Sequence, residues 1–254
     1  MEIFVDTPHL PQGRVRKLIL GEKYKNVLNM PLISLNIEPI WLKCNDSVDK
    51  RLSGHCDLMA VHLGNDILAV QDGTTADCDF FDNMDVIKVE KPISSNYPFD
   101  AHLNICIVGE YLIYNPKSAD SRVSGLINKV KLTCRQGYTK CSIAVVDERS
   151  IITSDRKIAA IASAAGLDVL LVREDITALD GFEHGFIGGA SFKISRSIMA
   201  FTGIVDDENE KNKIERFLSD RGITALYLTK LKLFDIGSAI PITEENQAVD
   251  PALN

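Results

Sequence analysis

The sequence predicts an α/β fold in which five ββαβ units close into a ring, the last unit being shared by the two ends of the chain. Three observations carry this expectation. One hairpin pattern recurs: a short polar residue, an apolar run, a tight polar turn and a second apolar run. Its polar heads stand at Asp57, Asn104, Ser142, Ser191 and Ser238, 38 to 49 residues apart, which is the range of a repeated supersecondary unit. The hairpins headed by Ser142 and Ser191 are followed by an aspartate, a helical apolar stripe, a glycine and a further apolar run. The fifth hairpin starts at Ser238 with no room for a helix and strand behind it, whereas the first forty residues hold these parts without a hairpin. Pairing residues 1 to 5 with the strand after Ser238 completes that unit and covers two open sheet edges. Residues 1–254 are then expected to form a single domain.

Taken in order, residues 1 to 5 read as a strand. Val15, Leu18 and Ile19 fall at helical spacing before Gly21, so a helix is expected over about 12 to 20 and a strand over about 32 to 36. Trp41 is expected to be packed. The first hairpin turns at Gly64-Asn65-Asp66, and the polar stretch behind it has no helical period before a strand at 86 to 89. The second turns at Gly109-Glu110 and precedes a helical stripe of Val123, Leu126, Ile127 and Val130. In the third unit Asp155 caps a helix carrying Ile158, Ile161 and Ala162, Gly166 stops it, and a strand follows at 169 to 172. In the fourth, Asp206 or Asp207 caps a helix carrying Ile214, Phe217 and Leu218, Gly222 stops it, and a strand follows at 224 to 228.

Composition narrows the function. A hydrophobic content of 45% describes a globular chain with a sizeable core, and a net charge of −7 argues against a nucleic-acid partner. The first residues lack a basic region followed by a long apolar one, and no apolar run approaches membrane-spanning length, so neither a secretion leader nor a membrane partner is expected. Six scattered cysteines without a CxxC pair indicate reduced thiols in a cytoplasm and no structural zinc site.

In a ring of hairpins the first strands crowd the axis, and strand side chains alternate faces. If the heads face the axis, so do His55, His102, Asn104, Cys106, Lys140, Ser142, Ser191, Lys193 and Ser238, while Leu58, Ile105, Ile143 and Phe192 face the core. His55 and Asp57 then share a strand face, where a carboxylate tunes an imidazole for proton transfer; the bland alternative is a pair that caps a strand. His102 repeats that spacing with Asn104, which argues that part of the pattern is the structural repeat. His184 adjoins the glycines that precede Ser191 and belongs to the rim or to a solvated loop. Cys56 and Cys141 adjoin heads but are turned towards the core by strict alternation, and Cys106 faces the pocket one turn deeper. Cys106 and Cys141 are secondary nucleophile candidates, against the bland alternative of packing. Gly185, Gly188 and Gly189 have the wrong spacing for a dinucleotide fingerprint, and a strand follows them. No metal and no cofactor are expected.

Five ββαβ units in a ring resemble the α/β propeller, or pentein, fold of guanidino-group-modifying enzymes: arginine and agmatine deiminases, amidinotransferases and dimethylarginine hydrolases. His55-Cys56-Asp57 matches the His-x-Asp motif of that group, and Gly188-Gly189-Ala190-Ser191 with the hairpin up to Gly203 is similar to its Gly-Gly-Asp/Asn unit. The chain looks closest to a bacterial branch of the superfamily without an assigned reaction. The resemblance implies a general acid/base at His55 and a guanidinium-holding carboxylate at Asp57. It also implies a cysteine at the head of the last unit, but this chain has Ile236-Gly237-Ser238-Ala239 there. The expectation is therefore a small polar ligand, guanidino, amidino or amino-acid-like, in a hydrolase or transferase pocket. Lys140, Lys193 and His102 would hold a carboxylate, and water activated by His55 would replace the thiolate if no cysteine serves. The alternative is a non-catalytic ring that binds a macromolecule, as the ribosome anti-association factors of this fold do. The oligomeric state is left open.

Overall fold

The computed structural model describes residues 1–246. The elements run β1 (Glu2–Phe4), β2 (Val15–Gly21), α1 (Lys25–Ser34), β3 (Glu38–Leu42), β4 (Ala60–Gly64), β5 (Ile67–Gln71), β6 (Asp85–Val89), β7 (Cys106–Val108), β8 (Tyr111–Tyr114), α2 (Ser121–Leu126) and β9 (Val130–Thr133). They continue with α3 (Thr139–Ser142), β10 (Ile143–Asp147), β11 (Ser150–Thr153), α4 (Arg156–Ala164), β12 (Asp168–Leu171), β13 (Ser191–Ser195), β14 (Ile198–Phe201), α5 (Glu208–Ser219), β15 (Thr224–Tyr227) and β16 (Ile240–Glu245). These strands form five small sheets. Four are three-stranded, each an antiparallel hairpin with a parallel third strand, and the fifth has the order β1-β16-β2-β3. That sheet contains both ends of the described chain: Glu2, Ile3 and Phe4 of β1 pair with Glu245, Glu244 and Thr243 of β16.

The predicted caps are present where the chemistry is clearest. Asp155 accepts from the amides of Lys157 and Ile158, and Asp207 from those of Asn209 and Glu210. Gly166 and Gly222 end these helices with positive φ. Two expectations fail. Residues 15 to 21 are a strand, because β2 is central in its sheet and buries both faces, which reads as a near-continuous apolar run. The helix comes later, at α1 with Pro31 inside it, and Asn36 in the left-handed region leads into β3 instead of a strand over 32 to 36. In the second unit α2 is short. Val123 and Ile127 are buried, but Leu126 and Val130 are exposed, because the backbone is already extended at Ile127.

The core follows from strand alternation. Ala144 and Val146 of β10 join a cluster with Met199 and Phe201 of β14 and Ile214 and Leu218 of α5. Ile143 and Val145 of the same strand join Val108 and Ile113 of the preceding unit. Phe192 and Ile194 of β13 pack with Leu18 and Trp41, Ile40 and Ile242 with Leu68 and Val70, and Val61 and Ala69 with Ile105 and Ile107. Each sheet is thus buried on two sides against two neighbours. Among the described residues no helix is long and apolar enough to cross a membrane.

Candidate functional site

Several heads and the residues before them do not belong to straight strands, and this decides the site. Cys56–Leu58 is a 3-10 turn, Ile187–Gly189 is another, and α3 is a single helical turn that ends at Ser142. Asn104 Oδ1 caps α3, accepting from the amides of Lys140 at 2.7 Å and Cys141 at 3.3 Å. A helical turn does not alternate faces, so Cys141 points to the pocket side and not to the core as strand alternation requires. Its Sγ donates to Asp57 Oδ2 at 2.7 Å and lies 4.0 Å from Asp235 Oδ1. Ligand atoms of His55, Cys141 and Asp235 all lie within 4.8 Å of one another.

Backbone geometry holds these groups. Asp235 accepts from the amides of Phe186 at 2.9 Å and Gly237 at 2.8 Å. Gly237 and Ser238 are consecutive left-handed residues, and the Asp57 amide donates to the Gly237 carbonyl at 3.1 Å. A Cβ on Gly189 would overlap the Asp235 carboxylate, and one on Gly237 would overlap the His55 side chain. The Gly-Gly unit is therefore a seat for Asp235, a residue that sequence reasoning missed. The available signal was Asp235 two residues before Gly237, at the end of the chain that completes the fifth unit.

The cluster floors a cavity of about 230 Å³ walled by Leu52, Tyr138, Leu179, Phe182 and Phe186, with Glu183 and His184 also lining it. The Tyr138 hydroxyl donates to Asp100 at 2.5 Å, which fixes that aromatic wall. His55, Asp57, Cys141 and Asp235 are each 2% exposed. Burial pushes the Asp57 carboxyl up to about 7, helped by the Asp235 charge and opposed by the Cys141 hydrogen bond and Lys140. Burial, then the two carboxylates, pushes the Cys141 thiol well up. Burial lowers His55, against the pull of Asp235. The resting floor thus holds a protonated thiol and a neutral imidazole beside two acids, and a cation arriving there would favour the thiolate.

Other candidates lie elsewhere. Cys106 is not in this cavity: it is packed with Val108 and Ile113, and burial pushes its thiol up to about 12. His102 pins two loops, with its ring nitrogens on the Ser118 and Pro92 carbonyls. Lys193 donates to the Val146 and Arg196 carbonyls, and burial takes it down to about 8. Ser142 and Ser191 donate to the carbonyls of Tyr138 and Ile187, four residues back. Lys140 runs from α3 to the Gly188 carbonyl at 3.1 Å and the Ser238 hydroxyl at 2.8 Å. The structure therefore unites His55, Asp57, Cys141 and His184, with Asn104 as a support, and directs Lys140, His102 and Lys193 to backbone or hydroxyl partners instead of to a substrate carboxylate. Their side chains serve the folding of turns, which their sequence positions do not reveal.

A model of a family of unknown function, DUF6873, matches residues 19–240. Comparison with curated protein sequences gives no match. Among solved structures, a C. jejuni agmatine deiminase variant with substrate bound is 12% identical, covers 96% of this chain and 97% of its own, and gives a TM-score of 0.54. An inosamine-phosphate amidinotransferase from Streptomyces griseus is 10% identical over 96% of this chain and 97% of its own, with a TM-score of 0.58. A dimethylarginine dimethylaminohydrolase is 8% identical over 84% of this chain and 92% of its own, at 0.51. The similarity to these three establishes the pentein fold.

Proposed function

The chain belongs to the family of unknown function DUF6873, and from its site we propose that it is a hydrolase or transferase acting on a small guanidino or amidino compound through Cys141. The observation that carries this reading is the convergence of Cys141, His55 and Asp235 on the floor of one apolar-walled cavity, with Asp57 behind them accepting from the Cys141 thiol. The five sheets act as blades of a closed propeller within one domain, a reading supported by core clusters that join each sheet to two neighbours. Similar structures include a deiminase, an amidinotransferase and a dimethylaminohydrolase, and a shared reaction class is part of the proposal.

The chemistry follows from the charges. An amidinium held between Asp57 and Asp235 offsets the two carboxylates that keep the Cys141 thiol protonated. The thiol proton passes to His55, and Sγ bonds to the amidinium carbon. The C–N bond to the leaving amine then breaks as His55 returns the proton to its nitrogen. Water, or a second amine, then gives a proton to His55 as it adds to the carbon of the resulting thioester-like adduct; the C–S bond breaks and the proton returns to the Cys141 sulfur. The cysteine comes from the third unit instead of the last, so the covalent route needs no thiol at Ser238. Among the described residues the cavity lining contains no Lys or Arg, so the substrate need not be an amino acid. Convergence inside a pocket, and not on an outer face, favours this reading over a ring that binds a macromolecule.

The test is a panel of guanidino and amidino compounds, read by amine or ammonia release and by mass spectrometry of the Cys141 peptide. Cys141→Ser and His55→Ala are each expected to lower turnover by roughly 10²-fold or more while the folded spectrum is kept. Turnover that survives Cys141→Ser excludes the thiolate route, and a panel with no bound member excludes the substrate class.

A further inference from the structure

We propose that His55, Cys141 and Asp235 are the ligands of a zinc site whose fourth position opens into the cavity. The three donors come from three separate turns, so no Cys or His spacing in the sequence announces them. They are an imidazole, a thiol and a carboxylate, each on a residue 2% exposed. That donor set suits zinc and its cobalt substitute and does not suit the all-oxygen cations magnesium and calcium. Three protein ligands with one free position is the arrangement of open zinc sites.

The geometry is close to what the ion needs. Bonds of about 2.0–2.3 Å at tetrahedral angles set ligand atoms roughly 3.3–3.8 Å apart. The donor atoms already lie within 4.8 Å of one another, so side-chain rotations of about an ångström close the site. Asp235 is fixed for this by the Phe186 and Gly237 amides, which orient a ligand carboxylate while leaving each oxygen a lone pair. A second, independent observation points the same way. His55 Nε2 and Asp57 Oδ1 are buried atoms with no hydrogen-bond partner, in a place where buried polar atoms are normally satisfied.

Binding is a proton exchange without redox change. The S–H bond of Cys141 breaks, the S–Zn bond forms, and the proton passes to Asp57 Oδ2, which already accepts it in a hydrogen bond, and then to solvent. The ion occupies the place and the thiol that an amidinium substrate needs, so zinc and substrate exclude one another. Metal binding itself stands apart from the proposed reaction, and its test reads no turnover.

The probe is cobalt(II), whose thiolate bond gives an intense near-ultraviolet charge-transfer band, titrated into the reduced full-length protein and then displaced by zinc. A Cys44→Ser, Cys78→Ser background removes the more accessible thiols. The expected result is a band that saturates at one equivalent in that background, is lost in Cys141→Ser, and needs at least about tenfold more cobalt in His55→Ala, which keeps every remaining thiol. A band that survives Cys141→Ser, is missing from the background variant, or has the same affinity in His55→Ala overturns the site. Should Cys141→Ser fail to fold, the His55→Ala titration decides alone.

Discussion

Replacing Asp57 by Asn tests the electrostatics of the floor without any substrate. The carboxyl titrates at about 3.8 in the unfolded chain and is raised to about 7 in the folded one, chiefly by burial. Between those values the native state holds a proton that the unfolded state releases, so the term destabilises the fold progressively as pH rises and levels off above 7. At 1.36 kcal/mol for each unit, the loss between pH 4.5 and 7 is roughly 3 kcal/mol. Asn is isosteric and stays neutral, and its amide oxygen can still accept from Cys141 Sγ. Urea unfolding followed by circular dichroism, in reductant, at half-unit steps from pH 4.5 to 8, gives both stability curves. The wild-type curve should fall relative to Asp57→Asn by that amount and run parallel above pH 7. Other titrating groups cancel in the difference. Parallel curves throughout would show that Asp57 is charged in the folded state, and the reading that burial keeps its carboxyl protonated up to about pH 7 would fail.

Gly237→Ala should cost roughly 1–3 kcal/mol, since Gly237 has φ +69° and a Cβ would overlap His55; an unfolding midpoint unchanged from wild type would refute the tight seat. Lys140→Met leaves the Gly188 carbonyl and the Ser238 hydroxyl without their donor, at about 1–3 kcal/mol for each buried group, read from the urea midpoint. Asn104→Ala removes the cap of α3, with an expected loss of about 1 kcal/mol and faster alkylation of Cys141 by iodoacetamide at alkaline pH. Equal alkylation rates would show that the turn is held by other contacts.

The fold was legible where turn and cap chemistry is local. Asp155 and Asp207 bond amides two and three residues on, and the Gly64-Asn65-Asp66 turn joins two apolar runs in antiparallel register. The pairing of residues 2 to 4 with β16 was legible too, because an incomplete fifth pattern and an unclaimed N-terminal strand require each other. The helix placed over residues 12 to 20 failed for a reason of burial. Val15, Leu18, Ile19 and Leu20 are apolar because a central strand is covered on both faces, and such a run fits a helical stripe and a buried strand equally.

The site was half legible, and the missing half is a question of backbone at five equivalent positions. Side-chain alternation holds along β10, where successive residues join different clusters, and along β13, where Phe192 and Ile194 join one cluster and Lys193 between them does not. It stops at Asp57 in a 3-10 turn, at Ser142 in a helical turn and at Ser238 in a left-handed pair, and a 3-10 turn also precedes Ser191. That is why Cys141, turned inward on paper, is the thiol beside Asp57, and why Cys106, turned to the pocket on paper, is core. It also explains how one repeated position can carry four tasks. Asp57 meets the thiol, Asn104 caps the turn that bears it, Ser142 and Ser191 close their own turns, and Ser238 receives Lys140. The repeat supplies the place, and the single residue type at each head decides whether that place serves folding or chemistry. A polar head can be found from periodicity alone. Which of the five meets the Cys141 thiol depends on its neighbours in the other four units.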